Sequence, residues 1–322
     1  MSDKFQRVYV LKIEGNDDKI YSVADPFTLD FTVSRNVLSS QNTGYFRIYN
    51  LKKDVRNNIY HDVYDSEHPR TVTLDAGYEN RGIATIFSGK VKQAKSFKDE
   101  GTVNFITEIE AYDDVYQAKA FSNFTLDPAD QVTVDQELVI NTLISDLETF
   151  KINGRTGGLK RGAVSDFSGG KRHSRGRTIT GSTWEALQTE SEVDCFIDNG
   201  RIHVLKTNDV FEGDVPVISS ITGLLASPKK SDFLLSLELL FEPGLRVGQQ
   251  VYVQSDSLEL ISRKPITSGL SVRPPTNGVY KIIGLEHRGT ISGAVGGKCK
   301  TEVKLLLNIE QFNIVKEGVS RV

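Results

Sequence analysis

Hydrophobic and polar side chains alternate through the first third of the chain. Phe27, Leu29, Phe31 and Val33 are separated by Thr28, Asp30 and Thr32, the period-two pattern of a strand with one dry face. Tyr45 to Leu51 repeats it with Phe46 and Ile48 on one side. Thr71 to Tyr78, Ile83 to Val91 and Thr102 to Tyr112 follow, rich in β-branched and aromatic residues and parted by Gly, Asn, Asp and Glu turns. Between them, Lys52 to Tyr60 places Val55 and Ile59 four apart, which predicts a short helix with both on its buried side. This part of the chain reads as an antiparallel sheet or barrel.

The texture changes from about residue 119. Val134 to Phe150 sets Leu138, Ile140, Leu143, Ile144 and Leu147 at spacings of three and four, an amphipathic helix whose first turn carries Asp135 and Glu137, where the helix dipole favours acids. Ser182-Thr183-Trp184-Glu185 reads as a capping box opening a second helix, with Trp184 and Leu187 on its apolar side and an end near Glu192. Cys195-Phe196-Ile197 then passes through Asp198-Asn199-Gly200-Arg201 into Ile202-His203-Val204-Leu205. Asn-Gly between two apolar runs predicts a hairpin, because both central positions of a type I′ turn need positive φ. Residues 119–212 therefore form a small α+β insertion.

Strands return in the last third. Phe233 to Phe241 is strongly apolar, Glu242-Pro243-Gly244 turns it, and Val247 to Gln254 answers with Val251 and Val253 in alternation. Gly278 to His287 and Lys300 to Ile309 form a further pair across a glycine-rich connection, Ser292 to Gly297. An order recurs: Thr71 to Tyr78, Ile86 to Ala94 and Thr102 to Tyr112 resemble Gln249 to Ser255, Val279 to Glu286 and Thr301 to Leu307 in pattern, though not in identity. Two similar bodies in one chain can imitate two subunits, so three chains could present a ring of six.

At 322 residues and 38% hydrophobic content the chain has room for two or three domains of roughly 150 residues each, or one long all-β body. It is expected to be neither membrane-embedded nor disordered; Val215 to Pro228 is too short to span a bilayer. Lys plus Arg number 39 against 42 Asp plus Glu, a net charge of −3, which gives no global attraction for nucleic acid or an anionic membrane. Locally the picture differs. Lys151 to Gly181 carries Lys151, Arg155, Lys160, Arg161, Lys171, Arg172, Arg175 and Arg177 against Asp166 alone, among eight Gly. With so little apolar content this stretch is expected to be a mobile basic loop that docks on an acidic partner surface, with phosphate contact as the alternative. Cys195 and Cys299 cannot build a disulfide framework, and the early charges of the N-terminus do not resemble a secretory signal, so a cytosolically made protein with reduced thiols is expected.

Catalytic patterns are weak. Ser292 to Cys299 lacks the leading Gly and the closing Ser or Thr of a phosphate-binding loop and joins strands where such a loop must open a helix. His61, His68, His173, His203 and His287 form no HExxH or H-x-H pair and read as surface or strand-face residues. Ser88-Gly89 and Ser268-Gly269 lack the nucleophile-elbow flanks, and the two cysteines sit on expected strands, where a small buried apolar role outweighs a nucleophilic one. No enzyme, catalytic residue, metal or cofactor is expected.

Phe27-x-Leu29-x-Phe31-x-Val33-Ser34-Arg35, followed by Asn42-Thr43-Gly44-Tyr45-Phe46-Arg47-Ile48-Tyr49-Asn50-Leu51, resembles the opening of baseplate hub proteins from contractile-tailed bacteriophages. Thr183 to Leu187 with Asp198 to Ile202 is similar to their middle domain, and Ile221 to Pro228 with Pro243 to Val251 to their second tube-like domain. The basic stretch is a departure from that pattern. The resemblance implies a mainly β fold in which two tube-protein-like antiparallel β-barrel domains, residues 1–118 and 213–322, flank a small α+β domain, residues 119–212. It also implies a structural protein of the virion tail: a homotrimer whose pseudo-sixfold ring adapts a hexameric tail tube protein to a trimeric central spike protein. Such a ring contacts other baseplate proteins, has no membrane anchor, and encloses a channel that DNA transits without specific binding. Two other readings remain at this point: a nucleic-acid-binding protein acting through residues 151–181, and a tail-associated cell-wall hydrolase.

Overall fold

The computed structural model describes residue 4 and residues 6–37, 41–62, 69–113, 120–127, 133–152, 155–156, 159–174, 176–231, 234–257, 259–260, 277–292, 297–307 and 312–317. Of the positions discussed above, His68, Arg175, Phe233, Ser268-Gly269, residues 293–296 and residues 308–309 lie outside them. Among the described residues the fold is mainly β, with three helices.

The first part comprises β1 (Arg7–Glu14), β2 (Ile20–Ala24), β3 (Leu29–Asn36), β4 (Thr43–Tyr49), α1 (Lys53–Ile59), β5 (Thr71–Tyr78), β6 (Gly82–Lys98) and β7 (Phe105–Tyr112). The expected strands and short helix are all present, and Ile59 is buried with Val55 packed beside it. The hairpin β1–β2 adds to them, with Tyr9, Leu11 and Ile13 turned inward by the same alternation.

The middle part holds β8 (Phe121–Leu126), β9 (Val134–Asp135), α2 (Gln136–Thr149), β10 (Lys151–Ile152), β11 (Arg155–Thr156), β12 (Lys160–Val164), β13 (Arg172–His173), β14 (Arg177–Ser182), α3 (Thr183–Ser191), β15 (Asp194–Asp198), β16 (Arg201–Leu205) and β17 (Asp209–Phe211). Helix α2 buries Val139, Ile140, Leu143, Ile144 and Leu147. Leu138, expected on that face, is instead about half exposed at 51%, because the buried stripe runs one position further round. Ser182 caps α3 by accepting the Glu185 amide at 3.3 Å, while its own backbone continues the β14–β8 ladder opposite Phe121. Asn199 and Gly200 take φ of 50° and 74°, so the β15–β16 hairpin turns where the Asn-Gly pair predicted.

The last part contains β18 (Val217–Ile218), β19 (Lys229–Ser231), β20 (Leu234–Leu240), β21 (Gln250–Val253), β22 (Glu259–Leu260), β23 (Gly278–Ile291), β24 (Cys299–Leu307) and β25 (Asn313–Val315). Its antiparallel order, β21-β23-β24-β20-β19, reproduces β5-β6-β7-β4-β3 strand for strand. The repeat extends to an irregularity: β6 shifts register against β7 between Val91 and Gln93, and β23 shifts against β24 between Ile282 and Gly284. One extra residue in one strand bends it and strengthens its twist, so both long strands change direction at equivalent points.

The two bodies share hydrogen bonds. β3 pairs with β23 over eight positions, from Asn36 opposite Gly284 to Leu29 opposite Ile291, and a single sheet runs through both. Phe241, at the end of β20, crosses into the first core, its ring 5.8 Å from that of Phe31 and 6.0 Å from that of Tyr78. The Tyr78 hydroxyl donates to the Phe241 carbonyl at 2.8 Å, and Lys4 meets Glu242 at 2.7 Å.

Where the three parts meet, the core turns polar. Arg35 occupies the inward parity that Leu29, Phe31 and Val33 fill earlier on β3, and it is only 2% exposed. Its guanidinium donates to Asp198 at 3.1 Å, to the Leu245 carbonyl at 3.0 Å and to His287 Nε2 at 3.3 Å. Burial, and then the Arg35 charge, hold the His287 imidazole well below its ordinary pKa, so the neutral ring accepts from Arg35 through Nε2 and pairs through Nδ1 with Thr301 Oγ1 at 2.9 Å. Asp113 completes the junction. Its carboxylate accepts from Asn42 Nδ2 at 3.1 Å and from the Asn199 and Gly200 amides at 2.9 and 3.1 Å, tying the tip of the β15–β16 hairpin to the end of β7.

Burial, and then the neighbouring Asp198, push Asp113 up to about 7 against those three donors. Its folded pKa therefore exceeds its unfolded value, and between roughly pH 4 and pH 7 the folded state holds more proton than the unfolded one. Its contribution to stability is greatest below that window and is lost as pH rises through it. Unfolding free energies of the wild type and Asp113→Asn, measured by denaturant between pH 5 and 8, should converge or cross as pH rises, with the wild type losing ground. Parallel curves would contradict the assignment.

Candidate functional site

The alternation that buries one face of the shared sheet leaves the other lined with polar side chains. Eight strands contribute to that face in the order β6-β7-β4-β3-β23-β24-β20-β19. Registers place Lys95, Glu108, Arg47 and Asp30 side by side across four strands, an alternation of base and acid. Glu108 accepts from Arg47 at 2.8 Å and lies 3.2 Å from Lys95. Asp30 instead accepts the Tyr49 hydroxyl at 2.6 Å, and that bond first, burial second, pushes the phenol up to about 12.

The second half of the face poses a harder electrostatic problem. Glu286, Glu302 and Glu238 stand directly opposite one another on β23, β24 and β20, an arrangement that is destabilising when uncompensated. The next row supplies the compensation. Arg288 pairs with Glu302, and Lys300 lies 2.8 Å from Glu238 and 3.0 Å from Glu302. Burial raises Glu302, but Lys300 and Arg288 outweigh it and hold the carboxyl below its ordinary range; Glu108 is held low in the same way, through Tyr45, Lys95 and Arg47. Such half-exposed pairs contribute little stability each. Their effect is to leave a broad surface whose charges are neutralised locally.

The face is concave. One recess of about 710 Å³ is lined by Asp30, Thr32, Arg47, Arg288, Lys300 and neighbours, and an adjoining one of about 350 Å³ by Ser34, Asn36, Glu238, Glu286, Glu302 and Lys304 among others. Neither converges donors and acceptors on one point as a small-molecule site does. Among the described residues no group of three or more His, Cys, Asp and Glu side chains is gathered as a metal site would require, and no helix is long and apolar enough to cross a membrane.

The basic segment departs from expectation. Residues 159–174 and 176–181 include β12, β13 and β14 in place of a mobile loop. Leu159, Ala163, Phe167 and Ile179 anchor it as buried residues, and acids from the flanking helices neutralise it. Arg177 pairs with the buried Glu190, Lys171 with Glu192, and Arg172 with Asp135 at 3.5 Å. Arg161 is held against the side of α2, its amide donating to the Glu148 carboxylate at 2.7 Å and its guanidinium to Asn141 Oδ1 at 2.6 Å. Lys151 and Lys160 are exposed, Arg155 lies on β11, and Arg175 lies outside the described residues. The described bases are thus dispersed over and between β10 to β14; the acids that pair with them, Asp135, Glu190 and Glu192, lie outside the window from which the charge was counted.

Sequence reasoning assigned no role to Arg35, Asn42, Asp113 or His287. A signal existed for the first: an arginine at the inward parity of an otherwise apolar strand requires a buried partner. His61, His203 and His287 are all buried, on strand or bridge positions.

No protein-family model matches the sequence, and no curated protein does. Solved structures do match in fold. The tail protein from Neisseria meningitidis MC58 superposes with a TM-score of 0.52 at 10% identity, covering 93% of this chain and 97% of that one. The 43 kDa tail protein of prophage MuSo2 from Shewanella oneidensis gives 0.52 at 10% identity over 94% and 97%. A chain of the lidless PdpA–VgrG complex gives 0.51 at 8% identity over 97% and 68%. The chain therefore has the fold of these tail proteins along nearly its whole length.

Burial pushes the Cys195 and Cys299 thiols up to about 11, so neither should react with an aromatic disulfide reagent at pH 8 until the protein is denatured, when both should. Rapid titration of either thiol in the native protein would contradict their placement.

Proposed function

We propose that this chain is a structural baseplate or tail hub protein. Its trimer would form a pseudo-sixfold ring that adapts a hexameric tail tube to a trimeric central spike and encloses a channel for DNA. The observation that carries the reading is the internal duplication: two antiparallel bodies with one strand order and equivalent register shifts, joined edge to edge through β3 and β23. A chain that joins two like bodies supplies a third of a six-body ring, and three chains supply all six. The tail-protein fold supports the same reading, as does the division proposed here into residues 1–118, 119–212 and 213–322.

Electrostatics fit a conduit. A surface that binds DNA releases counterions from clustered Lys and Arg, whereas the bases on the concave face are matched by neighbouring acids. A channel lined this way would let a phosphate backbone slide past. The nucleic-acid-binding reading is weaker because Lys171, Arg172 and Arg177 are already engaged by Glu192, Asp135 and Glu190. No observation among the described residues favours the hydrolase reading. Location in the virion tail, synthesis in the host cytoplasm and contacts with tube, spike and other baseplate proteins belong to the proposal.

Light scattering or native mass measurement should give a trimer, either for the chain alone or on mixing with a trimeric spike protein. A chain that stays monomeric beside that spike would overturn the reading. A second test addresses the channel. Glu238→Lys with Glu302→Lys should convert the face from balanced to basic and create DNA retention at low salt that falls steeply with added salt, whereas the wild type should show little. Equal retention by both proteins would refute the conduit argument.

A further inference from the structure

The internal repeat maps one half of the molecule onto the other residue by residue. Aligning the two register shifts makes Val91 equivalent to Ile282, and the ladders then make Ser96 equivalent to His287 and Lys230 to Val33. Within the chain, β3 of the first body covers the outer edge of β23 in the second. The equivalent edge of the first body is the last stretch of β6, and the strand equivalent to β3 is β19. These are the two ends of the eight-strand run.

We propose that β6 residues Lys95–Lys98 of one copy receive residues 228–231 of a second copy, antiparallel, in the register that β23 and β3 use internally, with Pro228 accepting the Lys98 N–H but offering no donor in return. This inference rests on the ring reading and gives it a seam. The hydrogen-bonding parity of the edge is fixed on the page: both backbone groups of Ala94 are bonded to His61, at 2.7 and 2.8 Å, on the side away from β7, so the N–H and C=O of Ser96 and Lys98 point outward too. Among the described residues His61 fills the place of a partner strand at one position. At the other end, β19 is met by β22 in a parallel pair of two positions, Lys229 with Glu259 and Lys230 with Leu260. That short strap blunts the edge as isolated chains commonly do, and the longer antiparallel pairing replaces it.

Apolar side chains left in water gather at both ends. Phe97 and Val103, at the β6–β7 tip, are 40% and 86% exposed, and Leu225 and Leu234, flanking β19, are 50% and 39% exposed. The register sets Lys229 of the arriving copy opposite Phe97, where an ammonium can lie over the ring, and Ser231 opposite Lys95, as Ser34 stands opposite Glu286.

Positions 95 and 231 lie seven strand spacings apart within one chain, about 33 Å at ~4.8 Å each, too far for an internal disulfide. The double variant Lys95→Cys with Ser231→Cys, prepared in the full chain and mildly oxidised, should give covalently closed trimers on a non-reducing gel. The wild type, whose two cysteines are buried, should give none. Mixing the two single variants should give cross-linked dimers. A trimer by mass that does not cross-link would overturn the seam and leave the ring standing; no trimer at all would overturn both. Ser96→Pro removes the outward donor and also the Ser96–Thr107 hydroxyl bond of 2.9 Å, whereas Ser96→Ala removes only that bond, so the proline variant should abolish the trimer while its monomer matches Ser96→Ala in far-ultraviolet dichroism and thermal midpoint. A trimer that survives this substitution would likewise overturn the seam.

Discussion

β3 is the strand that cannot be left at an edge. Leu29, Phe31 and Val33 are almost fully buried on one face, and the backbone groups on its far side would face water if β23 did not pair with them over eight positions. Unpaired backbone donors and acceptors near a core are costly, so the pairing ties the last third of the chain to the first. Phe241 then closes the seam by burying its ring in the first core, a contribution of about 1.5–3 kcal/mol for a side chain of this size.

The polar junction beneath that seam gives it direction. Arg35, Asp198 and His287 come from three separate parts of the chain, and a buried ion pair stabilises little unless every remaining donor and acceptor is satisfied. Here Asp198, the Leu245 carbonyl and His287 take donors of the two terminal guanidinium nitrogens, while the buried Arg35 Nε has no partner among the described residues; Asp113 takes the hairpin amides, and Thr301 serves both His287 and the Glu242 amide, the latter at 2.9 Å. A one-residue slip would already turn the dry face of β3 to the wet side; here it would also strand buried charges away from their partners.

The opposite face of the same sheet follows a different logic. Its glutamates and basic residues are close enough to neutralise one another, yet wet enough that no pair is strongly stabilising. A surface built to hold a ligand concentrates unsatisfied groups; this one consumes them. On the proposed reading, that is the property expected of a channel wall along which something charged moves.

Much of the fold was legible in order along the chain. Alternation located β3 to β7, β20, β21, β23 and β24, three-and-four spacing located α2, Ser182 marked the start of α3, and Asn199-Gly200 marked a turn, because each of these signals is set by neighbours within a few residues. The weak repeat was legible as a pattern. What no local window contained was partnership. The charge of residues 151–181 looked uncompensated because Asp135, Glu190 and Glu192 lie outside that window and reach it only through packing. Arg35 looked like one more strand residue because Asp198 is 163 positions away. Composition and periodicity determined which elements form and which face of each is dry; only tertiary structure decided which edges meet and in what register, since backbone hydrogen bonds between strands carry no sequence label and are selected by the burial of everything around them.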